Sequence, residues 1–489
     1  MIKSRDLNHR TQVPKDVSSP FMVTFAASGS DTDPTKWSFR LRALATINVT
    51  LIAWITTVAS SIDAAALVPA AQDFGVSTKI ESLATALFLV GLSFGVLTAG
   101  PISEEYGRSA VYIATMALFM IFTMASALAP NMASQAVFRT AAGYFAAAPL
   151  CCAGGSVSDL WTHTERAWAF PAFAVIAFTG PICGPIIGGY IVESKTLSWR
   201  WCEWVTLISS AAILLSVTLV QPETHPPTLL RWRAKRLRTI ECNQRFFAEV
   251  DLNRITFRQR LRAALYRPLA LLFNEPIVMC LSLYLTVIYV VIFVFFQGYD
   301  YIFREMYGFS QGMTGVAFAG TAVGIILTAF QIPLVYQRYK ADLALAVSNG
   351  DDHVPPERRL TFAIYGAPFL PISMFWIGWT SSPTSSYWSP LAGSIFLGYS
   401  TLCIYMSSYQ YLIDAYGPHS ASALASVTFV RYLVSAGMYV AAIPIFDHLG
   451  VKWTLTILGI VSALMTPIPY ILSRYGDRIR KSSRGSYRR

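Results

Sequence analysis

Residues 178–190 read FTGPICGPIIGGY. Four glycines and two prolines fall between Gly180 and Gly189, and everything between them is apolar or Cys183. In water, Gly costs about 1 kcal/mol and Pro about 3 kcal/mol relative to Ala in a helix interior. Inside a bilayer such faults are tolerable, because neighbouring helices re-satisfy the freed carbonyls. Gly180, Gly184 and Gly188 recur every four residues, so on a helix they line one face and leave a groove for another span. Pro181 and Pro185 form the adjacent stripe and predict a bend.

The rest of the chain has the composition this reading requires. Of its 489 residues, 54% are hydrophobic and 13% charged, against roughly 25% charged in an ordinary soluble domain. Apolar runs near the ~20 residues that cross a bilayer recur at 43–70, 82–101, 110–129, 134–158, 168–192, 200–220, 274–299, 312–337, 361–381, 388–412, 421–445 and 453–473. None alternates apolar and polar residues as the strands of a membrane β-barrel do. The expected fold class is an all-α polytopic membrane protein with twelve transmembrane helices in two six-helix bundles. The expected organisation is a cytoplasmic tail (1–42), a first bundle (43–220), a basic cytoplasmic linker (221–273), a second bundle (274–473) and a basic cytoplasmic tail (474–489). The first forty residues hold no short apolar core before a cleavage site, so the first span is expected to serve as the insertion signal.

With both termini inside, Lys79, Lys195, Arg200, Arg304 and Lys452 fall outside, Arg139 and Arg431 fall within spans, and the rest of the 38 Lys and Arg residues are cytoplasmic. That asymmetry obeys the positive-inside rule. It accounts for the net charge of +11 through lipid phosphate rather than nucleic acid. In the linker, TLLRWRAKRLRTI interleaves Leu, Trp and Ile with Arg and Lys at helical spacing, as in a helix lying at a membrane interface. A calmodulin-type target is the other reading of that pattern.

The seven cysteines show no CxxC or Cys/His spacing, so neither a disulfide framework nor a metal site is expected. The six histidines are scattered and no GxxxxGK[ST] phosphate loop occurs, which speaks against an enzyme, a cofactor or an ATP-driven pump. Energy is expected from an ion gradient. The candidate proton carrier is Asp63, 21 residues after Arg42 and so about 31 Å along a helix at 1.5 Å per residue. A carboxylate there is costly unless protonated or paired. Arg139 is its candidate partner, and Asp300 is the next acid to consider.

GPICGPIIGG resembles the antiporter signature of the fifth span in the major facilitator superfamily, with Gly180, Gly184, Pro185, Gly188 and Gly189 on its fixed positions. The resemblance implies a tight seam between moving bundles and exchange rather than uptake. GPISEEYGRSAVY (100–112) is similar to the superfamily's loop between spans two and three. Gly100 and Gly107 allow the turn, Glu104 takes the acidic place and Arg108 the basic one; Glu105 and Ser109 depart from the usual basic residues. The acid is expected to face a helix N-terminus of the other half, and Arg108 to pair with Asp159, together locking one conformation. FRTAAGYFAAAP (138–149) resembles the fourth-span motif through Arg139 and Gly143, with Ala142 where Gln is common.

Longer stretches, among them DPTKWSFRLR (33–42), SDLWTHTERAWA (158–169), SWRWCEWV (198–205) and YLIDAYGPHSASALAS (411–426), look like fungal drug:proton antiporters with twelve spans. In FFQGYDYIF (295–303) those antiporters often carry Glu in place of Gln297 and Pro in place of Asp300. The resemblance implies a monomeric plasma-membrane exporter whose partners are protons, lipids and an amphipathic small molecule: a drug, a fungicide, a polyamine or the cell's own secondary metabolite. A proton-coupled importer of a small nutrient or polyamine on the same fold is the alternative. Aromatic runs such as FWIGW (375–379) and YMSSYQY (405–411) suit an amphipathic substrate, and they suit packing as well.

Overall fold

The computed structural model describes residues 21–25, 33–241, 245–248, 251, 257–348, 350 and 354–482. Eleven helical runs among them are long and apolar enough to cross a membrane. The last contains two crossings, because Gly450 interrupts the helix Ser420–Met465 with φ 70° and ψ 173°. The expected twelve spans are therefore present. Spans 1 to 6 are Phe39–Phe74, Thr78–Tyr106, Arg108–Ala127, Met132–Leu160, Arg166–Glu193 and Trp201–Val220. Spans 7 to 10 are Pro276–Met306, Gln311–Ser348, Pro356–Thr380 and Trp388–Tyr416. Spans 11 and 12 flank Gly450, and the amphipathic helix Pro467–Ser482 follows.

Local chemistry sets several ends. Ser77 and Asn131 accept hydrogen bonds from Ile80 N and Ser134 N, capping spans 2 and 4, each of which satisfies an otherwise orphaned donor. Pro276 stands in the first turn of span 7, where its missing N–H costs nothing. Span 1 is interrupted at Ser60–Ile62 between the helices Phe39–Ala59 and Asp63–Phe74, and this break becomes part of the site below.

Small residues set the closest approaches in both halves. A Cβ on Gly91 or Gly95 of span 2 would collide with the carbonyl of Thr140 or Tyr144 in span 4. In the second half, a Cβ on Gly324 of span 8 would collide with Ile395 O of span 10, and one on Gly398 with Thr321 O. Spans 2 and 4 and spans 8 and 10 thus use one packing device, so the halves repeat in structure where their sequences barely do.

The linker folds against the same end of the first bundle. Its helix Pro226–Ile240 packs with a two-stranded parallel pair, Phe21–Met22 beside Phe246–Phe247. Val23, Ala234, Phe246 and Ala248 form a small satellite core there. Arg231 reaches Glu105 of the loop between spans 2 and 3 at 3.3 Å.

Contacts between the halves close both ends. At the linker end, His163, between spans 4 and 5, meets Asp414 of span 10. At the other end, Glu193 Oε2 of span 5 accepts from Gly312 N at 2.9 Å and Ser310 Oγ at 3.1 Å, beside span 8. The halves thus touch at both ends of the space between them.

Candidate substrate cavity and buried charge cluster

Span 5 is the seam around which the site is built. It remains one helix from Arg166 to Glu193 with Pro171, Pro181 and Pro185 inside it. The groove face of Gly180, Gly184 and Gly188 lies on Thr57, Ser61 and Ile62 of span 1, so closely that any side chain would strike them. Pro181 removes the donor that would bond Ala177 O, and Thr57 Oγ1 donates to that carbonyl instead at 3.2 Å. Another face of the helix meets the other half: a Cβ on Gly189 would stand 2.7 Å from Gln311 O, and one on Gly315 2.5 Å from Pro185 O.

Beside this seam lies a cavity of about 560 Å³, lined by Thr57, Ser60, Phe173, Tyr289, Tyr405 and Arg431 among others. A second, mostly apolar cavity of about 420 Å³ shares its Phe178, Pro181 and Ile292 wall. Arg431 of span 11 is 2% exposed. Its guanidinium carbon lies 4.1 Å from the Tyr289 ring centre, 5.0 Å from Tyr432, 5.3 Å from Tyr409 and 5.5 Å from Tyr405. No carboxylate pairs with it among the described residues, and its Nε and Nη1 reach no hydrogen-bond acceptor.

The second constellation is inside the first half. Arg139 of span 4 is 1% exposed. Its Nη2 lies 2.7 Å from Asp63 Oδ2 on span 1, and its Nη1 lies 3.2 Å from Glu203 Oε1 on span 6. Nη2 also donates to Ala59 O at 3.0 Å, the last residue before the break in span 1. Ser126 Oγ donates to Glu203 Oε1 at 2.9 Å, and Phe88 stacks under the guanidinium at 4.6 Å. Glu81 of span 2, 4% exposed, is within electrostatic reach of both Asp63 and Arg139. One guanidinium cannot neutralise three carboxylates, and a buried surplus of negative charge is expensive. Among the described residues no group of three His, Cys, Asp or Glu is placed to hold a metal ion. Tyr439 of span 11 lies within electrostatic reach of Asp63 and of Asp300, which ties this cluster to the helix that carries Arg431.

The structure thus brings Asp63 and Arg139 together. Asp300 stands apart from them, opening the π-helical turn Asp300–Met306 near Arg304 and Gln311. The run YMSSYQY (405–411), read from the sequence as suiting an amphipathic substrate or packing, supplies Tyr405 and Tyr409 beside Arg431; Glu203, Glu81, Tyr289 and Tyr432 had no such reading, and the signal available for the acids was a single Glu in each of SWRWCEWV and the start of span 2.

At the loop between spans 2 and 3, Arg108 Nε donates to Asp159 Oδ2 at 3.3 Å and its Nη1 to Ser103 Oγ at 2.6 Å. Both partners belong to the first half. Glu104 does not face a helix N-terminus: it is exposed and makes no hydrogen bond or ion pair among the described residues. A different acid, Glu223 of the linker, sits at the positive end of span 3 in the first half, accepting from Arg108 N at 2.9 Å and Ser109 N at 3.2 Å. Gly107, at φ 95°, leaves the space its carboxylate occupies; Gly100 has open space beside it. Glu223 also accepts from His225 N at 2.8 Å. Burial, with Arg108 and Arg231 close by, pushes the His225 imidazole down to about 3.

Residues 49–439 match the family model of the Major Facilitator Superfamily. The chain is 45% identical to the MFS-type transporter kojT of Aspergillus oryzae, over 95% of this chain and 82% of that one. It is 38% identical to the citrinin biosynthesis cluster MFS transporter mrr1 of Monascus ruber, over 89% of this chain and 86% of that one. The solved structure of the proton:xylose symporter XylE bound to 6-bromo-6-deoxy-D-glucose superposes with a TM-score of 0.64, covering 90% of this chain and 96% of that one at 15% identity.

Proposed function

The chain belongs to the major facilitator superfamily, and we propose that within it this transporter is a proton-coupled exporter of amphipathic small molecules, the cell's own secondary metabolites or toxic compounds. The observation that carries the reading is the pairing of two buried features. A cavity between the halves is lined by aromatic rings, and a cluster of buried charges, Asp63, Glu81, Arg139 and Glu203, sits beside the break in span 1. Transporters of this kind hold substrate between the halves and rock one half against the other. The seam of span 5 on spans 1 and 8 is where that rocking would be transmitted.

Protons entering through Asp63 and its neighbours would drive the exchange, with the Arg108–Asp159 pair and the Glu223 carboxylate seated beside Gly107 stabilising one state. A transporter in a metabolite gene cluster, such as the citrinin-cluster relative, supports the substrate class. The basic linker and tails support both termini inside, and placement in the plasma membrane is part of the same proposal. The test is purified protein in liposomes with an acidic lumen, measured against protein-free liposomes with the neutral amphiphile Nile red as the probe. Accumulation in the acidic lumen is expected for exchange against protons. Accumulation only on the alkaline side would make the protein a proton-coupled importer, and insensitivity to the proton gradient would remove the coupling.

A further inference from the structure

We propose that Arg431 and the tyrosines around it bind the anionic group of a planar organic acid, so that the exported molecule carries a carboxylate, an enolate or a phenolate on a flat apolar body. This rests on the export reading above and narrows its substrate class.

Arg431 is the reason. A guanidinium keeps its proton at any physiological pH, so span 11 carries a permanent charge into the cavity wall. A buried charge is ordinarily paired or hydrogen-bonded. Arg139 obeys that rule with Asp63 and Glu203, Arg108 with Asp159, and Arg359 with Asp414. Arg431 alone of these four meets no acid, and its Nε and Nη1 stand without acceptors. The rings of Tyr289, Tyr405, Tyr409 and Tyr432 lie near it. Ring faces hold a cation without filling its in-plane donors. What is missing is an acceptor, and the ligand supplies it.

The surroundings define the rest of the ligand. Phe173, Phe178, Phe293 and Ile292 wall the cavity, and Thr57 and Ser60 are its small polar contacts. The flat, apolar slot beside Phe178 and Pro181 continues into the second cavity. An aromatic or conjugated body fits these walls, stacking on rings while its acidic edge faces Arg431. A cationic amphiphile would place its charge against a fixed like charge.

The test uses the full-length protein in lipid nanodiscs with three probes of one shape: 2-naphthoate, 2-naphthamide and 2-naphthylmethylammonium, titrated by calorimetry in chloride-free buffer. Wild type is expected to bind naphthoate about tenfold or more tightly than naphthamide, the scale of one hydrogen bond to a charged group, and the ammonium probe most weakly. Arg431→Gln is expected to erase the preference. Arg431→Lys, which keeps charge but loses the planar fork, is expected to keep part of it. Equal affinities in wild type overturn the proposal without any variant, and so does a folded Arg431→Gln protein that still prefers naphthoate. Chloride that binds and displaces naphthoate at equal concentration also overturns it, since the site would then be a halide site. Proton-driven transport of Nile red without any anion preference removes the site and leaves the exporter. Anion preference with no proton-driven transport keeps the site and removes the exporter.

Discussion

His163 Nε2, from the first half, lies 3.3 Å from Asp414 Oδ1 of the second. The same Asp414 carboxylate holds Arg359 at 2.7 Å through its other oxygen, and Tyr339 joins His163 Nδ1 at 3.0 Å. Asp414 therefore has two jobs that can be separated: it neutralises a buried arginine within its own half and clasps the opposite half through histidine. Removing it should cost about 3–5 kcal/mol, because Arg359 would be left buried and alone. His163→Ala should cost only ~0.2–1 kcal/mol, as for an exposed pair. The expected outcome is a large drop in melting temperature for Asp414→Asn. For His163→Ala the expected outcome is a nearly unchanged one, with faster maleimide labelling of a cysteine placed at Ala167. Equal destabilisation by both would mean that the clasp and the neutralisation are one interaction.

Gly184→Ala should already impair transport. The added methyl would strike Ser61 Oγ and stand 2.9 Å from Ile62 N and 3.0 Å from Val58 O. Two of these are backbone atoms that no rotamer change can move, and overpacking of this kind costs about 1–3 kcal/mol. Gly184→Leu should reach the membrane and export nothing. A surface-localised Gly184→Leu protein with normal efflux would detach the seam from the mechanism.

Arg108 and Asp159 should behave as a coupled pair. Each side chain is mostly buried and the charges are 3.3 Å apart, so the coupling energy of a double-mutant cycle should be about 0.5–3 kcal/mol. Exchanging the two charges should restore part of the transport and not all of it, because Ser103 and Gly155 are fitted to a guanidinium at position 108. Additive losses would show that the pair does not operate in the cycle.

Asp63→Asn and Glu203→Gln should differ. Both remove an acid from Arg139, but Glu203 is also held by a hydroxyl, Ser126 Oγ, whereas Asp63 is held by its charge contact with Arg139 at 2.7 Å beside the break in span 1. The less restrained acid is the better carrier. Substrate-induced proton release between about pH 5 and 8 should vanish in Asp63→Asn and persist in Glu203→Gln; the reverse result would move the carrier to Glu203. Release that survives both substitutions would turn attention to Glu81 and then Asp300.

The linker's seat should loosen in acid. His225 is held neutral down to about 3 when folded, against roughly 6.5 when free. Its folded value is the lower one, so its contribution is intact above about pH 6.5 and is lost progressively as pH falls toward the folded value. Limited proteolysis of the linker should therefore be faster at about pH 5 than at pH 7.5, and His225→Asn should flatten that difference. A wild-type cleavage rate that does not change over this range would show that His225 is not buried in its neutral form.

The spans were legible because each is a long apolar run whose meaning is local. The glycine face of span 5 was legible for the same reason, since spacing along one helix tells which residues share a face. Its partner, span 1, was not, because a groove does not say what fills it. The charge cluster shows the limit more sharply. Asp63 and Arg139 could be paired on chemical grounds as two costly charges in one half, but Glu203 joins them from 64 residues beyond Arg139, and nothing in SWRWCEWV marks its glutamate as buried. The expectation for Glu104 failed for a related reason. Glu104 is exposed at the end of span 2, and the acid that does meet a helix terminus nearby, Glu223, is carried in by the linker from more than a hundred residues away and held by two backbone donors of span 3. The box around Arg431 draws tyrosines from three spans, and only Tyr405 and Tyr409 share a periodicity that a sequence can display.

The unpaired guanidinium also has an electrical consequence. When empty, the cavity carries one fixed positive charge; when an acid fills it, that charge is cancelled. A full elementary charge crossing a membrane gains or loses about 2.3 kcal/mol per 100 mV. The empty carrier thus feels the membrane voltage through Arg431, and the loaded one is largely blind to it at this site. In a cell that is negative inside, the voltage draws the vacant cavity toward the cytoplasm, where the next molecule waits, and lets go of it once that molecule is aboard.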